Sequence, residues 1–221
     1  VAKKVLIGIG IVIGIIVAFI VLDYIIINIS YNYDKYRFEE VFDVQGNKNK
    51  YVPQGMTYSK KYNVVLQTSY SGKKDVSILY VIDFSSGNLI KSLKLKDLNG
   101  NNDTSHVGGI ATDDTNVWIT SDYSVREYLL DDIINTKNDY IQCKADTQLG
   151  IRGDFCYFGY NTLYIGDFCL APFYKVPNNK PLLLAFDTET DYNYDEPKYI
   201  MSLPKMVQGM TIMPNKNFVF T

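Results

Sequence analysis

The chain opens on an unbroken apolar run. Val5 to Leu22 (VLIGIGIVIGIIVAFIVL) carries no charged or strongly polar side chain, and after Asp23 the run resumes as Tyr24-Ile25-Ile26-Ile27. Eighteen helical residues span about 27 Å, close to the hydrocarbon thickness of a bilayer. The pattern predicts a transmembrane anchor over residues 5–28, after a short N-terminus of residues 1–4 and before a polar, tyrosine-rich stalk of residues 29–50. Lys3 and Lys4 precede the run, whereas Asp23, Asp34, Lys35, Arg37, Glu39 and Glu40 follow it. The bias of basic residues toward the cytoplasmic side places the N-terminus inside and the remainder in an extracytoplasmic position. A cleaved signal peptide would have a shorter apolar core ending in small residues, and this core ends in bulky Leu22-Asp23-Tyr24-Ile25.

Beyond residue 50 the period changes. Short apolar stretches alternate with polar or glycine-containing turns, the signature of antiparallel hairpins. In the first stretch, Gly55–Tyr58 and Val64–Ser69 flank a turn, and Ile78–Phe84 and Leu89–Leu95 flank another. Leu182–Asp187 and Lys198–Leu203 repeat the latter pair, and the one helix-like segment is a short turn near Leu129–Ile134. The chain also repeats itself: VPQGMTY at 52–58 returns as MVQGMTI at 206–212, with weaker copies at VGGIAT and IRGDFC. Gly55, Gly109, Gly153 and Gly209 mark the copies, spaced by 54, 44 and 56 residues. A period near 50 made of four strands belongs to propeller blades. The predicted fold is therefore all-β over residues 51–221, a partial β-propeller with blades near 52–97, 106–148 and 151–204 and an incomplete one at 206–221. Three full units cannot close a ring of four to eight blades. Together with a first residue that is Val, this leads us to expect a piece of a longer protein.

Composition narrows the function classes. The formal net charge is −2 and no run of five like charges occurs, which argues against nucleic acid as a partner. Cys143, Cys156 and Cys169 form no CxxC pair, so neither a zinc site nor a thioredoxin-type motif is supported. One disulfide is allowed outside the cytoplasm, but the simpler expectation is three half-buried thiols. A single histidine excludes a zinc triad of histidines within this sequence.

The first unit, QGMTYS followed by VLQTSY and SILYVIDFSSGNLIKSLKL, resembles blades of the bacterial propeller superfamily that includes YVTN, SMP-30/gluconolactonase-like and glutaminyl-cyclotransferase-like proteins. The resemblance implies architecture more than activity, because propellers host enzymes, sensors and scaffolds alike.

The innermost strand of a blade lines the axis, so its first residues face one mouth of the channel. Gln54, His106, Arg152 and Gln208 stand just before the repeat glycines, and Asp154 follows Arg152. These five are the candidate ligand-binding residues, a set suited to an anion or a carbonyl. Gln and Arg at strand ends also serve simply to satisfy backbone groups. Asp122 and Asp167, in TSD and GDF, are candidate ligands for a calcium ion shared between blades; aspartates there also cap turns. No serine sits in a nucleophile-elbow context. The leading expectation is a membrane-anchored module binding a protein or small molecule at its mouth. The alternative is a metal-dependent hydrolase, lactonase-like or glutaminyl-cyclotransferase-like, working at the same mouth.

Overall fold

The structure is a computed structural model that describes residues 2–35, 42–46, 50–72, 75–170, 175–188 and 194–221. The chain separates into two compact units, residues 1–41 and 42–221. The first unit is one helix, α1 (Ala2–Lys35), so helix continues where the sequence pattern placed the start of a stalk. Its side chains are described from Gly10 to Ile26, and all are exposed. Among the described residues, no helix is long and apolar enough to cross a membrane. The flanks of the expected anchor and much of the expected stalk lie outside the described side chains.

The second unit is built of antiparallel sheets taken in chain order. The first contains β1 (Tyr51–Ser59), β2 (Val64–Ser71), β3 (Ile78–Asp83) and β4 (Leu89–Lys96). The second contains β5 (Gly109–Thr112), β6 (Asn116–Ser121), β7 (Ser124–Leu129) and, after a helix, β9 (Ala145–Gln148). The third contains β10 (Phe155–Gly159), β11 (Thr162–Gly166), β12 (Leu182–Asp187) and β13 (Tyr199–Ser202). A two-stranded sheet, β14 (Met210–Ile212) with β15 (Phe218–Phe220), completes the described sheets. The first strands of successive sheets are neighbours: β1 lies beside β5, β5 beside β10, and β10 beside β14. Four meandering sheets radiating from adjacent first strands are the blades of a β-propeller.

Packing between blades explains why many strands read as continuous apolar runs rather than as alternation. A blade buries both faces, one against each neighbour. Leu66, Leu79, Val81, Leu93 and Leu95 face Ile110, Val117, Ile119 and Tyr128 of the second sheet. The other face of that sheet sets Ala111, Trp118 and Val125 against Leu163, Ile165, Leu184 and Phe186. Phe155, Leu183 and Leu203 in turn meet Val207, Met210 and Phe220. Trp118 is fully buried and stacks on Phe158 across the second of these seams, with ring centroids 5.5 Å apart.

One strand departs from the four-per-unit expectation. The helix α2 (Leu130–Asn135) carries the chain back to the first sheet, where β8 (Tyr140–Gln142) runs parallel to β4. Lys91 of β4 fixes this return, because its Nζ donates to the carbonyl oxygens of Ile134 (2.7 Å) and Thr136 (3.2 Å) at the end of α2. A cation at a helix C-terminus satisfies carbonyls left without intrahelical partners. The first sheet therefore has five strands, and the second blade is clamped to it.

The repeat glycines sit where these first strands come together. A Cβ on Gly55 would stand 2.9 Å from the backbone nitrogen of Ile110 in the next blade. One on Gly109 would clash with the backbone of Cys156, and one on Gly108 with the carbonyl of Asp154. Gly109→Ala is therefore expected to destabilise the full chain by about 1–3 kcal/mol, the usual range for overpacking a tight site. Gly72→Ala and Gly150→Ala, where a Cβ meets nothing within 4 Å, are expected to stay within about 0.5 kcal/mol. Denaturant unfolding of the three variants under one set of conditions checks this contrast.

Candidate functional site

Each first strand begins at one end of the axis, and a side chain on the second strand holds that beginning in place. In the first blade the ladder slips between Pro53 and Met56, which bulges Gln54 and Gly55 out of register. Gly55 N–H, released by the bulge, donates to Thr68 Oγ1 at 3.1 Å, and Thr68 Oγ1 donates in turn to the Val107 carbonyl of the next blade at 2.9 Å. In the second blade Val107 N–H donates to Ser121 Oγ at 3.0 Å. In the third, Arg152 N–H donates to Asp167 Oδ1 at 2.7 Å.

The strand registers give the true phase of the repeat. Gly109 pairs with Thr120, and Phe155 pairs with Gly166. Counting outward, Val107 matches Gly153, Ser121 matches Asp167, and Asp122 matches Phe168. Gly153 thus corresponds to the positive-φ residue two places before Gly109, not to Gly109 itself, and TSD aligns with GDF residue for residue, so that Asp122 and Asp167 are one position apart. Val107 has φ +45° and Gly153 φ +66°. A β-branched residue in the left-handed region is a strained one. Val107 is held there by full burial, by the bond its N–H donates to Ser121 and by the one its carbonyl accepts from Thr68.

The result is a cavity of about 630 Å³ at the mouth, lined by all five candidate ligand-binding residues, Gln54, His106, Arg152, Asp154 and Gln208, and by Asp122. A second cavity of about 390 Å³ lies among the first strands and shares Gln54, Gly108 and Gln208 with it. Sequence reasoning missed two aromatic walls, Tyr70 and Phe168. By register they occupy the position that Asp122 holds in the second blade, so TSY, TSD and GDF are one motif whose third residue faces the mouth. That motif was legible once the phase was right.

Arg152 and Asp154 form an ion pair, Nη2 to Oδ1 at 3.0 Å, and Asp154 Oδ2 accepts the Phe168 N–H at 2.8 Å. Burial still raises the Asp154 pKa, against the opposing pull of that N–H and of Arg152. Asp167 is buried, with 2% of its surface exposed, and lies outside the cavity lining; burial raises its pKa too. Asp122 lines the mouth, whereas Asp167 caps backbone N–H groups. Among the described residues no group of three or more His, Cys, Asp or Glu is placed to hold a metal ion. All three cysteines are free thiols, and burial pushes Cys143 up to about 11 and Cys156 up to about 12, which makes both inert at neutral pH.

His106 stays partly open to solvent but lays its ring on Tyr70, with centroids 4.3 Å apart. Lost hydration lowers its pKa, a shift that Asp122 and Asp154 oppose.

No family model matches the chain, and no curated protein matches it. Solved structures with a similar course include Myxococcus xanthus glutaminyl cyclase, at 9% identity and TM-score 0.49, covering 78% of this chain and 62% of that one. Saccharomyces cerevisiae Sqt1 is 12% identical at TM-score 0.47, covering 79% of this chain and 43% of that one. The β-propeller domain of Myceliophteria thermophila Cps50 (Swd1) is 8% identical at TM-score 0.40, covering 80% of this chain and 51% of that one. The chain spans less than two thirds of the length of each.

The lone histidine allows a direct test. Its folded pKa lies below its unfolded value of about 6.5. The unfolded state then binds more protons in that window, so stability present above pH 6.5 is lost as pH falls through the folded pKa. Proton NMR titration of His106 is expected to give a midpoint below 6.5, and His106→Gln is expected to flatten the stability loss on that acid limb.

Proposed function

We propose that the chain is a membrane-tethered, extracytoplasmic β-propeller module that binds a small polar ligand in its mouth. The observation that carries this reading is the convergence of Gln54, His106, Arg152, Asp154 and Gln208, from the four sheets, on one cavity of about 630 Å³. Small-molecule sites are concave spaces of about 300–1,000 Å³ in which a few polar groups fix orientation among apolar walls. Here two carboxamides, an imidazole and an ion pair supply the polar groups, and Tyr70 and Phe168 supply the walls. The closed Arg152–Asp154 pair shifts the reading away from a simple anion site, since the guanidinium already has its carboxylate at 3.0 Å.

The tether rests on the apolar run of residues 5–22, and its direction rests on Lys3 and Lys4.

The test is a binding screen on the full chain in detergent micelles, using small amines, carboxylates, amides and sugars, read by the His106 resonances and by calorimetry. At least one class is expected to shift His106 and saturate, and Gln54→Ala with Gln208→Ala is expected to weaken that binding about ten-fold or more. A screen in which no class moves His106 overturns the proposal. Conversion of a bound compound to product would move the module into the enzyme class.

A further inference from the structure

The mouth does not end at its own rim. A side cleft of about 420 Å³, lined by Asp97, Asn102, Asp103, Thr104, Ser105, Asp122 and Arg126, adjoins it, and Asp122 belongs to both linings. The charges along this continuous surface are unequal. Four carboxylates line the two spaces (Asp97, Asp103, Asp122 and Asp154) against two guanidiniums, Arg126 and Arg152.

Both guanidiniums are already matched. Arg152 holds Asp154 at 3.0 Å. Arg126 is held from two sides, by Asp103 Oδ2 at 2.9 Å and Asp146 Oδ2 at 3.0 Å, and it also donates to Ser105 Oγ at 3.0 Å. Asp97 spends its oxygens on its own turn, accepting the Asn101 side-chain amide (3.1 Å) and the N–H groups of Asn101 (2.8 Å) and Asn99 (2.9 Å), and these bonds, the Asn101 amide first, hold its pKa below the usual range. Asp122 differs from the others. It is exposed, and among the described residues no hydrogen bond or ion pair reaches its carboxylate. It stands at the tip of the two-residue β6–β7 turn, where Ser121 pairs with Ser124. Asp122 and Tyr123 there have φ +48° and +68°, both in the left-handed region that such turns usually fill with Asn-Gly or Asp-Gly. The ring walls Tyr70 and Phe168, at the equivalent position of the neighbouring blades, flank the same opening. An open carboxylate between aromatic faces, with every nearby cation neutralised, is complementary to an organic cation.

We infer that the mouth selects a ligand bearing an alkylammonium group, seated against Asp122 and over the Tyr70 and Phe168 rings. This rests on the mouth being a binding site and names the class of ligand that it takes. The shared chemistry is a primary ammonium on an aliphatic stem, whether carried by a free polyamine or by a lysine side chain.

The experiment uses the full chain in detergent with five probes: spermidine, a lysine-containing peptide amide, sodium acetate, inorganic phosphate and glycerol. Binding is read by calorimetry and by the His106 resonances. Spermidine or the lysine peptide is expected to bind, the tighter of the two identifying the source. Asp122→Asn, a residue that suits the left-handed turn, is expected to weaken that binding about ten-fold or more. Asp122→Lys is expected to abolish it. Asp132→Asn, which removes an exposed carboxylate elsewhere in the second blade, is expected to leave it unchanged. Thermal unfolding of each variant verifies that it is folded. Amine binding that survives both Asp122 substitutions overturns the inference, as does acetate, phosphate or glycerol binding at His106 in place of the amines; the latter leaves the mouth standing as a site. No response to any probe overturns the inference, and the broader panel then decides the fate of the site itself.

Discussion

Backbone meets backbone at the axis of this propeller, and the rest of the structure depends on that contact. Sheets that radiate from a common line must bring their first strands closer than side chains normally allow. Glycine is the residue that permits it, because it has no Cβ to hold the strands apart. Gly55, Gly108 and Gly109 all lie where an added Cβ would meet the backbone of the neighbouring blade. Across from them, on the second strand, stands a threonine: Thr68 bonds to Gly55, Thr120 pairs with Gly109, and Thr221 lies beside Gly209. The third blade reverses the pair, placing Phe155 on the first strand and Gly166 opposite, where an added Cβ would run into the phenyl ring. One large and one small residue fit at each level, and which strand carries the large one is free to change.

The mouth follows from the same constraint. Close approach forces the chain to enter each first strand through a tight bend, and the bend releases backbone N–H groups that need partners. Thr68, Ser121 and Asp167 supply them from the second strand. The residues around each bend, Gln54, His106 and Arg152, are thereby aimed at one opening, while Tyr70, Asp122 and Phe168, one or two residues further along, form its wall.

Much of this could be read from the chain alone, for identifiable reasons. The repeat survives in sequence because the glycines and the QGMT signature answer to backbone geometry that few residues can satisfy. The five mouth residues were found by their place beside those glycines. What stayed hidden depends on contacts between distant segments. β8 is three residues long and pairs with a strand of another blade, so no local period announces it. The third blade was phased two residues off, because Gly153 looks like Gly109 in sequence but serves as a left-handed bend, the task of Val107 one blade earlier. Asp122 and Asp167, the two candidate calcium ligands, stand one register position apart, so one faces the opening and the other is buried under it. The closed ion pair of Arg152 was likewise invisible, since opposite charges two residues apart in sequence do not announce whether they meet.

The claim that inner-strand contact sets the mouth can be read most directly in the proton NMR spectrum of His106. In the native chain the Tyr70 ring at 4.3 Å should shift the imidazole protons upfield. Gly108→Ala forces β5 away from Asp154 and should abolish that shift. Leu184→Ala, a cavity in the core between the second and third blades, should cost similar stability and leave the shift in place. A folded Gly108→Ala protein that keeps the native His106 shift would contradict the account.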